Sequence, residues 1–199
     1  MAGAVNETID EVLEKTLAHA RTDPPLRAVA ISGSPRAPSK SKTLAEHLLD
    51  ELAKIGCETR LIDVATLPAE ALVVREQSAE IDGAIAAVGQ AQIVAACSPT
   101  YRALYTGVMK CFFDLMPQGH LAGKVCLGLQ TGIAPQHALS PEYGMRALFA
   151  SLDGVPAQVL YATDSEFEEG QPSEALADRL ARIAEQAVQL ARGLAPGEA

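Results

Sequence analysis

The sequence predicts an α/β fold in which one parallel sheet carries helices on both faces, and three observations lead there. Short runs of strand type alternate with stretches of helical periodicity along most of the chain. Several of those runs, QIVAAC and KVCLGLQ among them, are apolar through their centres rather than alternating, as strands covered on both faces require. The 199 residues, 48% of them hydrophobic, suffice for one substantial core and give no sign of a second.

The elements follow in order. Val5, Ile9, Val12, Thr16 and Ala20 stand at helical spacing with Leu13 and Leu17 beside them and Asn6 as cap, so an amphipathic first helix is expected over residues 5–21. TDPP ends it and RAVAIS is the first strand. Leu44, Leu48, Leu52 and Ile55 mark a helix closed by Gly56, and CETRLID follows as a half-exposed strand. AEIDGAIAAVGQA reads as a helix, QIVAAC as a buried strand, and YTGVMKCFFDLM as a helix with one apolar face. KVCLGLQ is the next strand, LSPEYGMRALFASL the next helix and AQVLYA the last strand. The acidic stretch TDSEFEEGQP reads as a solvated surface turn, after which Leu176, Leu180, Ile183, Ala187 and Leu190 line one side of a closing helix. Five strands in this pattern fit the flavodoxin-like, doubly wound order 2-1-3-4-5, with the first helix as an addition. The expected organisation is an N-terminal helical extension over 1–26, a flavodoxin-like domain over 27–192 and a tail over 193–199.

Charge and composition narrow the partners. A formal net charge of -9 leaves no broad basic footprint for nucleic acid or an anionic membrane surface. No apolar run reaches the roughly 18 residues of a spanning helix, and the first residues lack a basic region followed by an apolar one, so a cytoplasmic location is expected. Cys57, Cys97, Cys111 and Cys126 are widely spaced and never form C-x-x-C, and all but Cys111 fall in strand-like runs. Buried reduced thiols are expected, and no metal site.

Within this acidic chain, Ile31 to Leu44 collects four serines, two prolines and three cations, and no carboxylate stands between Asp23 and Glu46. The segment leaves the carboxyl end of the first strand and enters a helix, where such sheets bind ligands. Free amides at a helix start, serine hydroxyls and the Arg36 guanidinium together suit a phosphate dianion. A P-loop would need glycine directly before its Lys-Ser pair, whereas Ser39 precedes Lys40. A dinucleotide fingerprint would need further glycines after Gly33. A terminal monophosphate fits better than either, and the competing reading is a soluble connection capped by Ser41.

Two further loops shift the balance between these readings. GSPRAPSKSKTL, SPTYRALYTGVMKCFFDLMP and TGIAPQHAL, in this order and spacing, resemble the NAD(P)H-dependent FMN reductases, above all those that feed reduced flavin to alkanesulfonate monooxygenases. The resemblance runs from about Arg27 to Arg192. It implies that Ser34, Arg36, Ser41 and Thr43 bind the FMN phosphate, with Lys42 adding an amide and a charge. It further implies that Pro99, Thr100, Tyr101 and Arg102 edge the isoalloxazine ring and that Thr131 and Gly132 meet its pyrimidine end. Many members read Pro-Glu-Tyr-Asn in the second loop, and contacts of that Glu and Asn do not transfer to Thr100 and Arg102.

The same resemblance implies a homodimer or homotetramer, NADPH or NADH as electron donor, and a flavin-dependent monooxygenase as partner. Hydride would pass from nicotinamide to FMN without a protein nucleophile, consistent with the lack of a G-x-S-x-G elbow or an H-E-x-x-H helix. Tyr143 matches a tyrosine that, in the sulfonate-linked reductases, belongs to an inserted π-turn at a tetramer interface near the flavin; the bland alternative is a half-buried Tyr in an ordinary helix. His137 stands where it can approach the ring or the nicotinamide, or complete hydrogen bonds in its loop. His19, His47 and His120 read as structural or solvated, and Asp114 as paired with a neighbour. Two alternative functions remain: a reductase of quinones, azo compounds or metal ions that retains its FMN, and a flavodoxin-like carrier without NAD(P)H activity.

Overall fold

The computed structural model describes residues 24–194. The helix expected over 5–21 and the tail from 195 lie outside the described residues. The chain proceeds through β1 (Arg27–Ser32), α1 (Lys40–Lys54), β2 (Glu58–Asp63), α2 (Ala69–Val74), α3 (Ala79–Gln90), β3 (Ile93–Pro99) and α4 (Gly107–Phe113). It continues through β4 (Val125–Gly132), α5 (Ser140–Ala150), β5 (Val155–Thr163), the two-residue strands β6 (Phe167–Glu168) and β7 (Gln171–Pro172), and α6 (Glu174–Leu194). The five long strands pair in parallel in the order β2-β1-β3-β4-β5, as expected.

Strand alternation divides the core in two. Ala28, Ala30, Ile93, Ala95, Val125, Leu127 and Leu160 face α1 and α6, packing on Leu44, Leu48, Leu52, Leu176 and Leu180. Val29, Ile31, Val94, Ala96 and Cys126 face the other layer, against Val88 of α3, Phe112 and Phe113 of α4 and Phe149 of α5. Each fully buried Leu or Phe here contributes on the order of 1.5–3 kcal/mol of transfer free energy. None of the described helices is long and apolar enough to cross a membrane.

Several local expectations need correction. Ser39, not Ser41, caps α1: its hydroxyl accepts from the Lys42 amide at 3.3 Å. Ile55 lies at the C-cap and is exposed, while Ala45 and Leu49 complete the buried stripe. On α6, Leu190 is exposed and Ala191 takes the buried place, because a helix turns 100° per residue and the stripe drifts over five turns. Cys57 precedes β2 instead of lying in it, and only Cys97 and Cys126 are buried among the four free thiols. Burial pushes the Cys126 thiol up to about 12 and the Cys97 thiol higher still, which keeps both protonated and unreactive. The segment TDSEFEEGQP is a 3-10 turn and a small antiparallel hairpin, with Phe167 packed on the core, rather than a solvated turn.

Candidate functional site

Three connections at the carboxyl ends of β1, β3 and β4 meet above the sheet and are tied to one another. The Gly33 amide donates to the Cys97 carbonyl at 2.8 Å, and the Thr100 amide to the Thr131 carbonyl at 2.7 Å. Thr106, which caps α4 by accepting from the Met109 amide, donates its hydroxyl to the Gly33 carbonyl. Gly33 has no room for a side chain, since a Cβ would stand 2.6 Å from Met109 Cε and 2.7 Å from its Cβ. Sequence therefore fixes the height at which the first loop leaves the sheet.

Between these connections lies a cavity of about 470 Å³, within the range of small-ligand sites. Ser34, Arg36, Pro99, Thr100, Tyr101, Thr131, Gly132 and His137, all expected at a ligand, line it. The Ser34 hydroxyl accepts from the Arg36 amide and donates to the Arg36 carbonyl, so the loop folds on itself and carries the guanidinium at its exposed edge. That guanidinium has no ion partner or hydrogen bond among the described residues. Beside it the first amides of α1 have no carbonyl one turn back to serve them, and they carry the positive end of the helix dipole.

The remaining expected residues stand differently. Ser41 is buried with its hydroxyl on Ser39 at 3.0 Å, and Thr43 donates its own to the Ser39 carbonyl. Lys42 turns away to Asp63 at the end of β2, 2.8 Å distant; that hydrogen bond and the carboxylate charge raise its pKa. Arg102 and Ala103 form the tip of a two-residue hairpin in which Tyr101 and Leu104 exchange both backbone bonds. Both tip residues have positive φ, 53° and 62°, a conformation costly for side chains bearing Cβ and one that concentrates at functional loops. The Ser140 hydroxyl is placed within reach of the Ala103 carbonyl at 2.9 Å and of the Gln130 carboxamide at 2.8 Å, joining hairpin, α5 and β4. Tyr105 packs on α5 at Gly144, and Tyr101 lines the cavity. Tyr143 is 75% exposed on a helix that is α throughout.

Residues 26–168 match the family described as NADPH-dependent FMN reductase. The chain belongs to this family. It is 35% identical to the NADH-dependent FMN reductase SfnF of Pseudomonas fluorescens (strain Pf0-1), over 83% of this chain and 92% of that protein. To the FMN reductase (NADPH) of Pseudomonas aeruginosa it is 30% identical, over 85% and 94%. The apo form of an NADH:FMN oxidoreductase (EMOB) superposes with a TM-score of 0.75 at 31% identity, covering 87% of this chain and 91% of that one. A flavodoxin of Streptococcus pneumonia TIGR4, at 14% identity and a TM-score of 0.57, shares the fold. The protein is thus an NAD(P)H:FMN oxidoreductase.

The residues present fit the flavin of such a reductase. A phosphate finds the Arg36 guanidinium, without a partner among the described residues, and the first amides of α1 on this cavity; Gly132, also on it, leaves the space that the Tyr161 hydroxyl takes. A Cβ at Gly132 would fall 2.4 Å from the Tyr161 hydroxyl, which donates to the Ala134 carbonyl at 2.9 Å. Burial, with the nearby Asp164 charge, raises the Tyr161 pKa and holds it as a donor. Pro38, Ser39, Lys40, Ile133, Ala134 and Asp164 also line the cavity and were not expected there. Ile133 and Ala134 adjoin the TG pair and Ser39 and Lys40 the cationic loop, so proximity in sequence marks them. Asp164 follows the last strand, and its position at a carboxyl end is the signal that could have found it. Among the other residues weighed, Asp114 pairs with Lys110 and His120 bonds the Ile85 carbonyl at 2.9 Å.

Proposed function

We propose that this FMN reductase anchors the flavin phosphate on Ser34, Arg36 and the first amides of α1, that of Ser41 included, with Thr43 bracing the turn behind them. Pro99, Thr100, Tyr101 and Arg102 border the ring system, Thr131 and Gly132 its pyrimidine end, and His137 stands at the mouth where a nicotinamide from NADPH or NADH enters. Bound FMN supplies the redox chemistry by accepting a hydride from that nicotinamide. The chain's own part is to orient: Arg36 neutralises the phosphate, the hairpin at Arg102 and Ala103 sets one edge of the ring, and Gly132 lets backbone approach the other.

The observation that carries this reading is the Arg36 guanidinium, unpaired among the described residues, on the same cavity as Thr131 and Gly132. The reduced flavin then leaves for a partner monooxygenase, and the reaction takes place in the cytoplasm. Leu139 and Tyr143, one helical turn apart, are 59% and 75% exposed, an apolar pair that supports assembly of the chain into dimers or tetramers next to the site. Nicotinamide oxidation, followed by absorbance with and without added free FMN, tests the release. Turnover that rises with free FMN is expected. An equal rate with only copurified flavin and an external acceptor overturns release in favour of a retained cofactor.

A further inference from the structure

Lys40, the first residue of α1, is held by a single segment that comes from the far side of the sheet. Its ammonium lies 3.0 Å from the Asp164 carboxylate, 3.4 Å from the Asp164 carbonyl and 5.6 Å from the centre of the Phe167 ring. Lys40 and Asp164 both line the cavity with Arg36. The carboxylate is not on a loose loop. Asp164 opens the 3-10 turn after β5, and that turn is closed by a capping box in which Glu166 accepts from the Thr163 amide at 2.7 Å and its hydroxyl at 2.9 Å. Glu166 is in turn paired with Arg179 of α6, and the Ser173 amide donates to the Glu166 carbonyl at 2.8 Å.

We propose that Asp164 is a built-in rival of the flavin phosphate: it occupies the Lys40 ammonium and sets a fixed negative charge opposite the incoming dianion, so that FMN is held loosely enough to leave after reduction. The inference rests on the reading that the phosphate sits at the start of α1. Without Asp164 the site would have two free cations, Arg36 and Lys40, and hold phosphate more tightly. Because the rivalry concerns charge on the phosphate alone, it acts on FMN and not on riboflavin. It also weakens with salt, since both side chains are partly solvated, at 37% and 42% exposure.

Flavin titrations followed by fluorescence quenching on the purified protein test this. Asp164→Asn keeps the shape and removes the charge; its Kd for FMN is expected to fall about fivefold, the upper range for a partly exposed ion pair, with that for riboflavin unchanged. Asp164→Glu should restore the original FMN affinity, the KM for FMN in turnover should follow Kd, and high salt should shrink the difference. Lys40→Gln should weaken FMN and make a second change at Asp164 less effective. An unchanged or higher FMN Kd in Asp164→Asn, or an equal tightening of riboflavin, overturns the proposal. Arg36→Ala separates the two levels: if it too leaves FMN affinity unchanged, the phosphate lies elsewhere and the underlying site reading fails. If it weakens FMN while Asp164→Asn does nothing, only the rivalry fails.

Discussion

The two ends of this sheet each open onto a cavity, and the two differ in how their polar groups are used. At the amino ends of the strands a space of about 700 Å³ lies among Pro24, Leu26, Arg27, Glu58, Gln92, Lys124 and Leu194. The polar groups around it serve one another. Arg27 pairs with Glu58 at 3.2 Å, its amide donates to the Gln92 carboxamide at 2.8 Å, and Lys124 gives hydrogen bonds to the Gly89 and Ala91 carbonyls at 2.7 and 2.8 Å. The carboxyl end has the smaller space but keeps binding capacity in reserve: the Arg36 guanidinium, the first amides of α1 and a hairpin with two left-handed residues. Volume alone would choose the amino end. Donors left without acceptors favour the carboxyl end, where we propose that the flavin binds.

That contrast can be broken first by removing its centre. Arg36→Ala is expected to raise the Kd for FMN roughly ten- to hundredfold, the worth of a hydrogen bond to a charged group, and riboflavin titrated in parallel should change far less. Next in size is Gly33→Ala, which forces a methyl against the buried Met109 below the first loop. Overpacking of this kind costs about 1–3 kcal/mol, read as a lower midpoint in denaturant unfolding, and a midpoint unchanged from the parent would show that the loop height is not fixed by this contact. The smallest effect belongs to the amino end. Glu58→Gln breaks an exposed pair with Arg27 and should shift stability by less than about 0.5 kcal/mol while leaving the Kd for FMN alone. A loss of flavin affinity there would dissolve the distinction between the two ends.

The strands and the composition of the first loop were legible in the chain because both are local signals, and the order of the sheet followed only from the doubly wound pattern they fit. Apolar runs in RAVAIS and QIVAAC need no partner to be read as buried strands, and Ser34, Arg36 and the α1 amides lie within one short segment. What stayed hidden depends on residues brought together by crossover connections. Lys42 reads as a phosphate ligand until β2 places Asp63 beside it. Asp164 reads as one more acidic surface residue until β5 ends next to α1, more than a hundred positions away in the chain. The left-handed turn at Arg102 and Ala103 was invisible for another reason, since neither residue type announces positive φ as glycine would. Tyr161 is legible only in reverse, through the missing side chain at Gly132 that its hydroxyl replaces.

Ser140 touches two oxygens yet owns one hydrogen to give. If Ala103 receives it, the neighbouring carboxamide must rotate so that nitrogen rather than oxygen faces the serine, which also relieves the Gln130 nitrogen, otherwise buried without an acceptor. Polarity then runs one way, from the interior of β4 through the start of α5 to the hairpin tip. The hairpin at Arg102 and Ala103 is thereby fastened to the sheet through a single oriented file of dipoles.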